Sequence, residues 1–379
     1  MSAAEFTFWL CVAVLAYTYA GYPLLLLVWS IGRKARLQPD DTWAPLVSVI
    51  MPVHNEQENL PEKIRNTLSL EWPAEKLEVI VASDASDDES DAIVARWPDR
   101  RVRLVRLQMR GGKALALNAA MAEAKGEVLV FTDASITASA DALKLLVSAL
   151  GADNVGCAST RDVTAGGGGE GLYTRYDMLV RALESRCAGA VGMSGSFYAV
   201  RRSAWRPFPA HVATDLYSGL CAVAAGYRCI FEPGAVAFVR VVPRLGEEFR
   251  RKVRTLQTGM AAVWTRRSLL LPWRTGESAG WRIRPCMFAL QLWSHKVLRW
   301  ATPFFMVALL ASTLATLPHH PWALGAQLGF YALALLGWVW KAGPARLAAF
   351  FCASQIAAAA AWLRFALGHR IQAWQPSRR

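Results

Sequence analysis

The chain has no Cys-x-x-Cys pair. Its seven cysteines, at positions 11, 157, 187, 221, 229, 286 and 352, are scattered and odd in number. That excludes a disulfide framework and a zinc site of paired cysteines, and it suits a reduced compartment. No internal repeat is visible, so solenoids and propellers drop out. Acidic residues are scarce: 29 Asp and Glu face 42 Lys and Arg, for a net charge of +13. The excess is local, with thirteen Lys and Arg against three Glu between residues 240 and 299. Nucleic acid is one partner for such a block. The block leads straight into an apolar segment, however, and basic flanks mark the cytoplasmic ends of membrane helices. Anionic membrane lipids are therefore the expected partner, and nucleic acid is not.

Apolar residues are abundant. They make up 54% of the 379 residues, above the roughly 45–50% of soluble domains. Residues 6–29 form an uncharged run of about 24 residues, long enough to span a bilayer. No basic residue precedes the run and no small-residue cleavage site follows, which favours a retained helix over a signal peptide. Three further segments qualify, 300–317, 322–340 and the Ala-rich 347–363; a buried helix of a soluble domain is the alternative for each. Ionisable residues are sparse inside these segments, which argues against a transporter. Most of the 16 Trp lie near segment ends, the expected interfacial use. Arg33-Lys34-Ala35-Arg36 follows the first span, so the N-terminus is expected outside and the next domain at the cytoplasmic face of an inner membrane. Three later spans then leave the C-terminus outside, although Arg370, Arg378 and Arg379 prefer the inside. Either one segment is interfacial or the tail breaks the rule.

Between the apolar ends, strand and helix patterns alternate. Apolar, β-branched runs at 46–51, 77–82, 102–107 and 127–131 read as strands, with helices at 60–70, 88–96 and 111–124. This spacing predicts βαβ units and a parallel sheet. Farther on, 155–158 and 195–200 read as strands, 166–169 as a loop, 173–186 and 215–225 as helices, and 229–232 and 236–242 as two short strands. Two acidic clusters follow strands directly: Ser83-Asp84-Ala85-Ser86-Asp87-Asp88 and Thr132-Asp133-Ala134-Ser135. Ligands of open α/β sheets bind outside the carboxyl ends of the strands, where carboxylates can hold a base, a ribose or a divalent metal. A turn and helix N-cap is the other use of Ser and Asp there, and Asp88 suits it well.

Six ordered motifs over residues 47–240 carry a resemblance: Pro52-Val53-His54-Asn55-Glu56, Asp84 to Asp88, Gly112-Lys113-Ala114-Leu115-Ala116-Leu117-Asn118, Thr132-Asp133-Ala134-Ser135, Gly195 to Arg201, and Thr214-Asp215. Together they resemble a family 2 glycosyltransferase with the GT-A fold, an α/β fold with a mixed, mostly parallel sheet. Tyr17-Thr18-Tyr19-Ala20-Gly21-Tyr22-Pro23-Leu24, Ser294-His295-Lys296 and the tail from Trp374 resemble membrane-anchored bacterial members that build polysaccharides and glycolipids. The resemblance implies a transmembrane helix at 1–32, a linker at 33–46 and a catalytic domain at 47–240. Basic interfacial helices at 241–299, transmembrane segments at 300–368 and a basic tail at 369–379 would follow.

It also implies roles. Pro52, Asn55, Glu56 and Asp84 would line the nucleoside site of a nucleotide sugar. Asp133 would hold a divalent cation, Mg²⁺ or Mn²⁺. The second carboxylate of the Asp-x-Asp signature is missing, which leaves Ser135 to help through its hydroxyl or a water. Lys113 and Arg254 would take charge from the departing diphosphate. The family's Gln-x-x-Arg-Trp motif is absent around Arg254, so a basic face on an amphipathic helix stays open for it. Asp215 would be the general base, with helix capping the alternative. Gly195 and Ser196 would line the acceptor pocket. The implied activity is inverting, metal-dependent hexosyl or N-acetylhexosaminyl transfer to a lipid-linked or glycan acceptor. A processive polysaccharide synthase subunit and a catalytically inactive nucleotide-binding scaffold are the alternatives.

Overall fold

The structure of the protein, a computed structural model, describes residues 1–32, 42–164, 169–239, 245–271, 273, 285–340 and 343–369. Eight strands form one sheet: β1 Val47–Val53, β2 Leu77–Ser83, β3 Val102–Arg106, β4 Val128–Thr132, β5 Ile136–Ala138, β6 Val155–Thr164, β7 Phe197–Arg201 and β8 Arg228–Val239. Their spatial order is β3-β2-β1-β4-β7-β6-β8-β5. The first four in that order run parallel. β7 is antiparallel to both β4 and β6, β8 is parallel to β6, and β5 is antiparallel to β8. The expected mixed, mostly parallel sheet is what forms.

β1 is buried along its whole length, because its side chains alternate between two covered faces. Val49 and Met51 cluster with Leu146 of the helix Ala142–Gly151 and Ile64 of the helix Leu60–Leu68. Ile50 points the other way and clusters with Leu117 of the helix Lys113–Glu123. Each such side chain contributes about 1.5–3 kcal/mol by leaving water. Pro52 lies two residues past the last β1–β4 pair, Ile50 with Phe131. It stays in register with Ala82 of β2, and on the β4 side its missing N–H interrupts no ladder bond.

Two expectations are corrected. The pair of short strands at 229–232 and 236–242 is one strand, β8; Pro233 and Gly234 are absorbed where the β6–β8 register jumps from Thr160↔Glu232 to Arg161↔Val236, a bulge that lets the ladder resume. The segment expected from residue 300 begins earlier, in a continuous apolar helix Pro285–Ala315. The helix Ala142–Gly151 and β5 were not expected.

Four helices are long and apolar enough to cross a membrane: Ala3–Ser30, Pro285–Ala315, Pro321–Val339 and Gly343–Ala366. Ala3–Ser30 and Pro285–Ala315 each contain one π-helical turn, Tyr17–Gly21 and Trp293–Val297. Another helix, Leu245–Thr265, buries Val253, Met260 and Ala262 in a cluster that also holds Leu216, Phe288 and Ala357, so it joins the sheet domain to the apolar helices. Most of the expected linker (33–41), most of the loop at 166–169, residues 240–244 and the tail from 370 lie outside the described residues.

Candidate active site

The carboxyl ends of β2 and β4 converge on the start of the helix Lys113–Glu123. Gly112, just before that helix, has φ +87°, a conformation that glycine adopts without a steric penalty. The Asp84 carboxylate lies under this turn and accepts the Gly111 N–H at 2.7 Å and the Gly112 N–H at 2.9 Å. A carboxylate at a helix N-terminus is favoured by the helix dipole and satisfies otherwise unpaired N–H groups. Asp84 is fully buried, and its carboxylate holds the glycine turn. Lys113, the first helical residue, is thereby aimed at Asp133 beyond β4, with Nζ 2.6 Å from Oδ1.

The opposite wall comes from the antiparallel part of the sheet. Asp162, near the end of β6, accepts the Ser194 hydroxyl at 2.5 Å and the Ser196 hydroxyl at 3.1 Å. Burial pushes its carboxyl above the ordinary range, and the Ser194 bond opposes that shift. Asp215 lies in the first turn of the helix Thr214–Ala224. A Cβ at Gly195 would fall 3.1 Å from Asp215 Oδ2, so glycine there leaves the carboxylate room. The Ala213 N–H, at the start of this helix, donates to the Thr258 carbonyl at 3.1 Å, which fixes the helix against Leu245–Thr265.

These walls enclose a cavity of about 300 Å³ lined by Lys113, Asp133, Asp162, Ser196, Asp215 and Arg254, among others. Six of the expected residues meet here: Lys113, Asp133, Gly195, Ser196, Asp215 and Arg254. Pro52, Asn55, Glu56, Asp84 and Ser135 are not among the residues lining it. Pro52 is buried in β1, and Glu56 is buried with Oε2 accepting from Asn59 Nδ2 at 2.8 Å. Asn55 is exposed in the left-handed region, φ +57°. Sequence reasoning missed Asp162, which lies inside β6 rather than just after a strand as Asp133 does.

Among the described residues, no three His, Cys, Asp or Glu side chains converge into a metal cage. The half-buried Asp133 carboxylate, open to the cavity, instead fits an ion held mainly by water and a ligand's phosphates, the usual habit of Mg²⁺.

Lys63 lies behind this wall, fully buried, with Nζ donating to Thr132 Oγ1 at 2.8 Å. Burial lowers its pKa from 10.5 to about 7. Between those values the unfolded chain binds the extra proton, so stability rises with pH across that window. The melting temperature should climb from pH 7 to 9, and Lys63→Met should flatten the climb and raise the pH 7 value. An unchanged slope in the variant would assign the pH dependence to another group.

A second cavity, about 880 Å³, adjoins the first and shares Asp215, Ala213, Arg251 and Thr255 with it. Its remaining walls include Phe330, Leu333, Phe350 and Phe351 from the apolar helices.

Residues 48–207 match the family model described as Glycosyl transferase family 2. The chain is 32% identical over 111 residues to Probable glycosyltransferase YdaM of Bacillus subtilis, a match covering 28% of this chain and 26% of that one. It is 29% identical over 171 residues to Beta-monoglucosyldiacylglycerol synthase of Trichormus variabilis, covering 42% of this chain and 36% of that one. The matches span about a quarter to a third of the length of these curated relatives. The mannosyltransferase PcManGT from Pyrobaculum calidifontis, solved in complex with GDP-Man and Mn²⁺, superposes with a TM-score of 0.74 at 26% identity, over 96% of this chain and 100% of that one. The sheet and its helices form a GT-A fold.

Proposed function

With a family 2 glycosyltransferase domain at residues 48–207, we propose that the protein moves a sugar, with inversion, from a nucleotide sugar to a lipid-linked or glycan acceptor at the cytoplasmic face of the inner membrane. The observation that carries this reading is the position of Asp215 on the wall shared by a charged cavity and an apolar one. The donor's diphosphate enters the charged side and the acceptor comes from the membrane side.

Asp215 takes the proton of the acceptor hydroxyl as that oxygen forms its bond to the anomeric carbon. The bond from that carbon to the diphosphate oxygen breaks on the opposite face, and its electron pair leaves with the nucleoside diphosphate. Lys113 and Arg254 meet the charge that develops there, in the manner of a fixed cationic clamp. Asp133 would hold a divalent cation, which when bound supplies further positive charge to the diphosphate. Gly195 and Ser196 border the acceptor, with Ser196 oriented by Asp162. Asn55, Glu56 and Asp84 stay the candidates for the nucleoside, and Asp84 also holds the Gly111-Gly112 turn.

The GDP-Man carried by the Pyrobaculum protein makes GDP-sugars the first donors to try, beside UDP- and TDP-sugars. Detergent-purified protein should release nucleoside diphosphate from one donor in the panel, and EDTA should suppress the release. Silence across the panel, with membrane lipid extract present as acceptor, would count against an enzyme and for a nucleotide-binding scaffold.

A further inference from the structure

The Ser294-His295-Lys296 motif has no role in the proposed function above. It lies in the π turn of the helix Pro285–Ala315. The π turn of Ala3–Ser30 packs against it, with the Tyr17 hydroxyl 2.8 Å from Ser294 Oγ. Such turns are frequent at functional sites. Here the turn sets His295 and Lys296 against the helix Gly169–Arg186.

Three buried cations, Arg181, Lys296 and Arg299, crowd this junction beside Asp177 and Glu184, and the more distant Asp162 and Asp215 also act on Arg181. His295 stands between two carboxylates, with Nδ1 2.7 Å from Glu184 and Nε2 3.2 Å from Asp177. Glu184 also accepts the Tyr22 hydroxyl at 2.5 Å and the Val191 N–H at 3.1 Å. Asp177 alone serves two guanidinium groups, Arg181 at 2.8 Å and Arg299 at 3.0 Å. Lys296 has no hydrogen-bond or ion-pair partner among the described residues. Arg299 is only 8% exposed, yet its Nε and Nη2 are unpartnered, as are Nε and Nη1 of Arg181. A Cβ at Gly192 would lie 2.9 Å from Lys296 Nζ and 4.0 Å from Arg181 Nη2, so two cations converge on one bare stretch of backbone. Unpaired buried donors and crowded like charges are costly without an anion. Arg181, Lys296 and Arg299 all line the larger, mostly apolar cavity that also reaches Asp215.

We infer that Lys296, Arg181 and Arg299 bind the phosphate of a phosphate-bearing lipid, with its chain along the wall formed by Phe330, Leu333, Phe350 and Phe351. The inference rests on the proposed transfer reaction only in identifying this lipid as the acceptor. The charge complementarity is what selects a phosphate over a neutral headgroup, since charge-assisted bonds are about twice as strong as neutral ones.

The test measures binding to the full chain in detergent, without donor, through its tryptophan fluorescence; Trp300 lines the cavity. Farnesyl phosphate should bind about tenfold tighter than farnesol, and inorganic phosphate should not displace it at equal concentration. Lys296→Gln should shrink the preference to about twofold and Lys296→Arg should keep it. Should Lys296→Gln not fold, Gly192→Ala, which displaces the ammonium, should reduce the preference in the same way. Equal binding of the two lipids, or a preference untouched by both Lys296→Gln and Gly192→Ala, overturns the inference. Displacement by inorganic phosphate overturns the lipid as the source of the phosphate. Because no donor is present, these failures leave the transferase reading standing, and a silent donor panel leaves this one standing.

Discussion

Asp215→Asn is expected to lower the rate of sugar transfer by about 10²–10⁴, the usual contribution of a general base. The amide keeps the shape of the side chain, so the contact with Gly195 and the start of the helix Thr214–Ala224 should survive. The donor KM should change little, because in the proposed reaction Asp215 meets the acceptor rather than the diphosphate. Melting temperature should stay within a few degrees of the parent. Steady-state kinetics with the donor identified in the panel provide the check. A variant that retains a tenth or more of the activity would reduce Asp215 to a helix-capping residue.

Asp84→Ala should be destabilising on a comparable scale. It removes a fully buried acceptor from the Gly111 and Gly112 N–H groups. Hydrogen bonds to charged groups contribute about 1.5–3 kcal/mol each, so a loss of roughly 3–5 kcal/mol is expected. Activity should fall as well, since the turn that Asp84 anchors also positions Lys113 against Asp133. Thermal unfolding separates this role from the one that resemblance implies. A nucleoside contact alone would raise the donor KM and leave the melting temperature untouched. An Asp84→Ala protein with unchanged melting temperature would leave the nucleoside contact as its role.

Much of the site could be read before the structure because its logic is local. Asp133 follows an apolar run, Lys113 follows two glycines, and parallel strands separated by helices bring their carboxyl ends together. Asp162 escaped because β6 reads as a strand only over 155–158, whereas it extends to Thr164. What extends it is pairing with β8, about seventy residues away in sequence, across a bulge that local patterning does not reveal. The same limit hid the junction of Asp177 and Glu184 with His295 and Arg299, whose partners are 111 to 122 residues apart. The acidic cluster at Asp84 is legible in the sequence, but the bonds of its carboxylate to the Gly111-Gly112 backbone are not. Ser135 follows the family's motif in spacing yet stays off the cavity wall.

The wall that the two cavities share at Asp215 also bears on a side reaction. If the larger cavity takes the acceptor lipid as proposed, that lipid would stand between bulk solvent and the anomeric carbon, and an unfilled cavity would admit water as a competing nucleophile. Wasted donor then becomes a gauge of lipid supply. The ratio of hydrolysis to productive transfer should fall as acceptor is titrated in, and a bilayer poor in that lipid would drain the donor without building product.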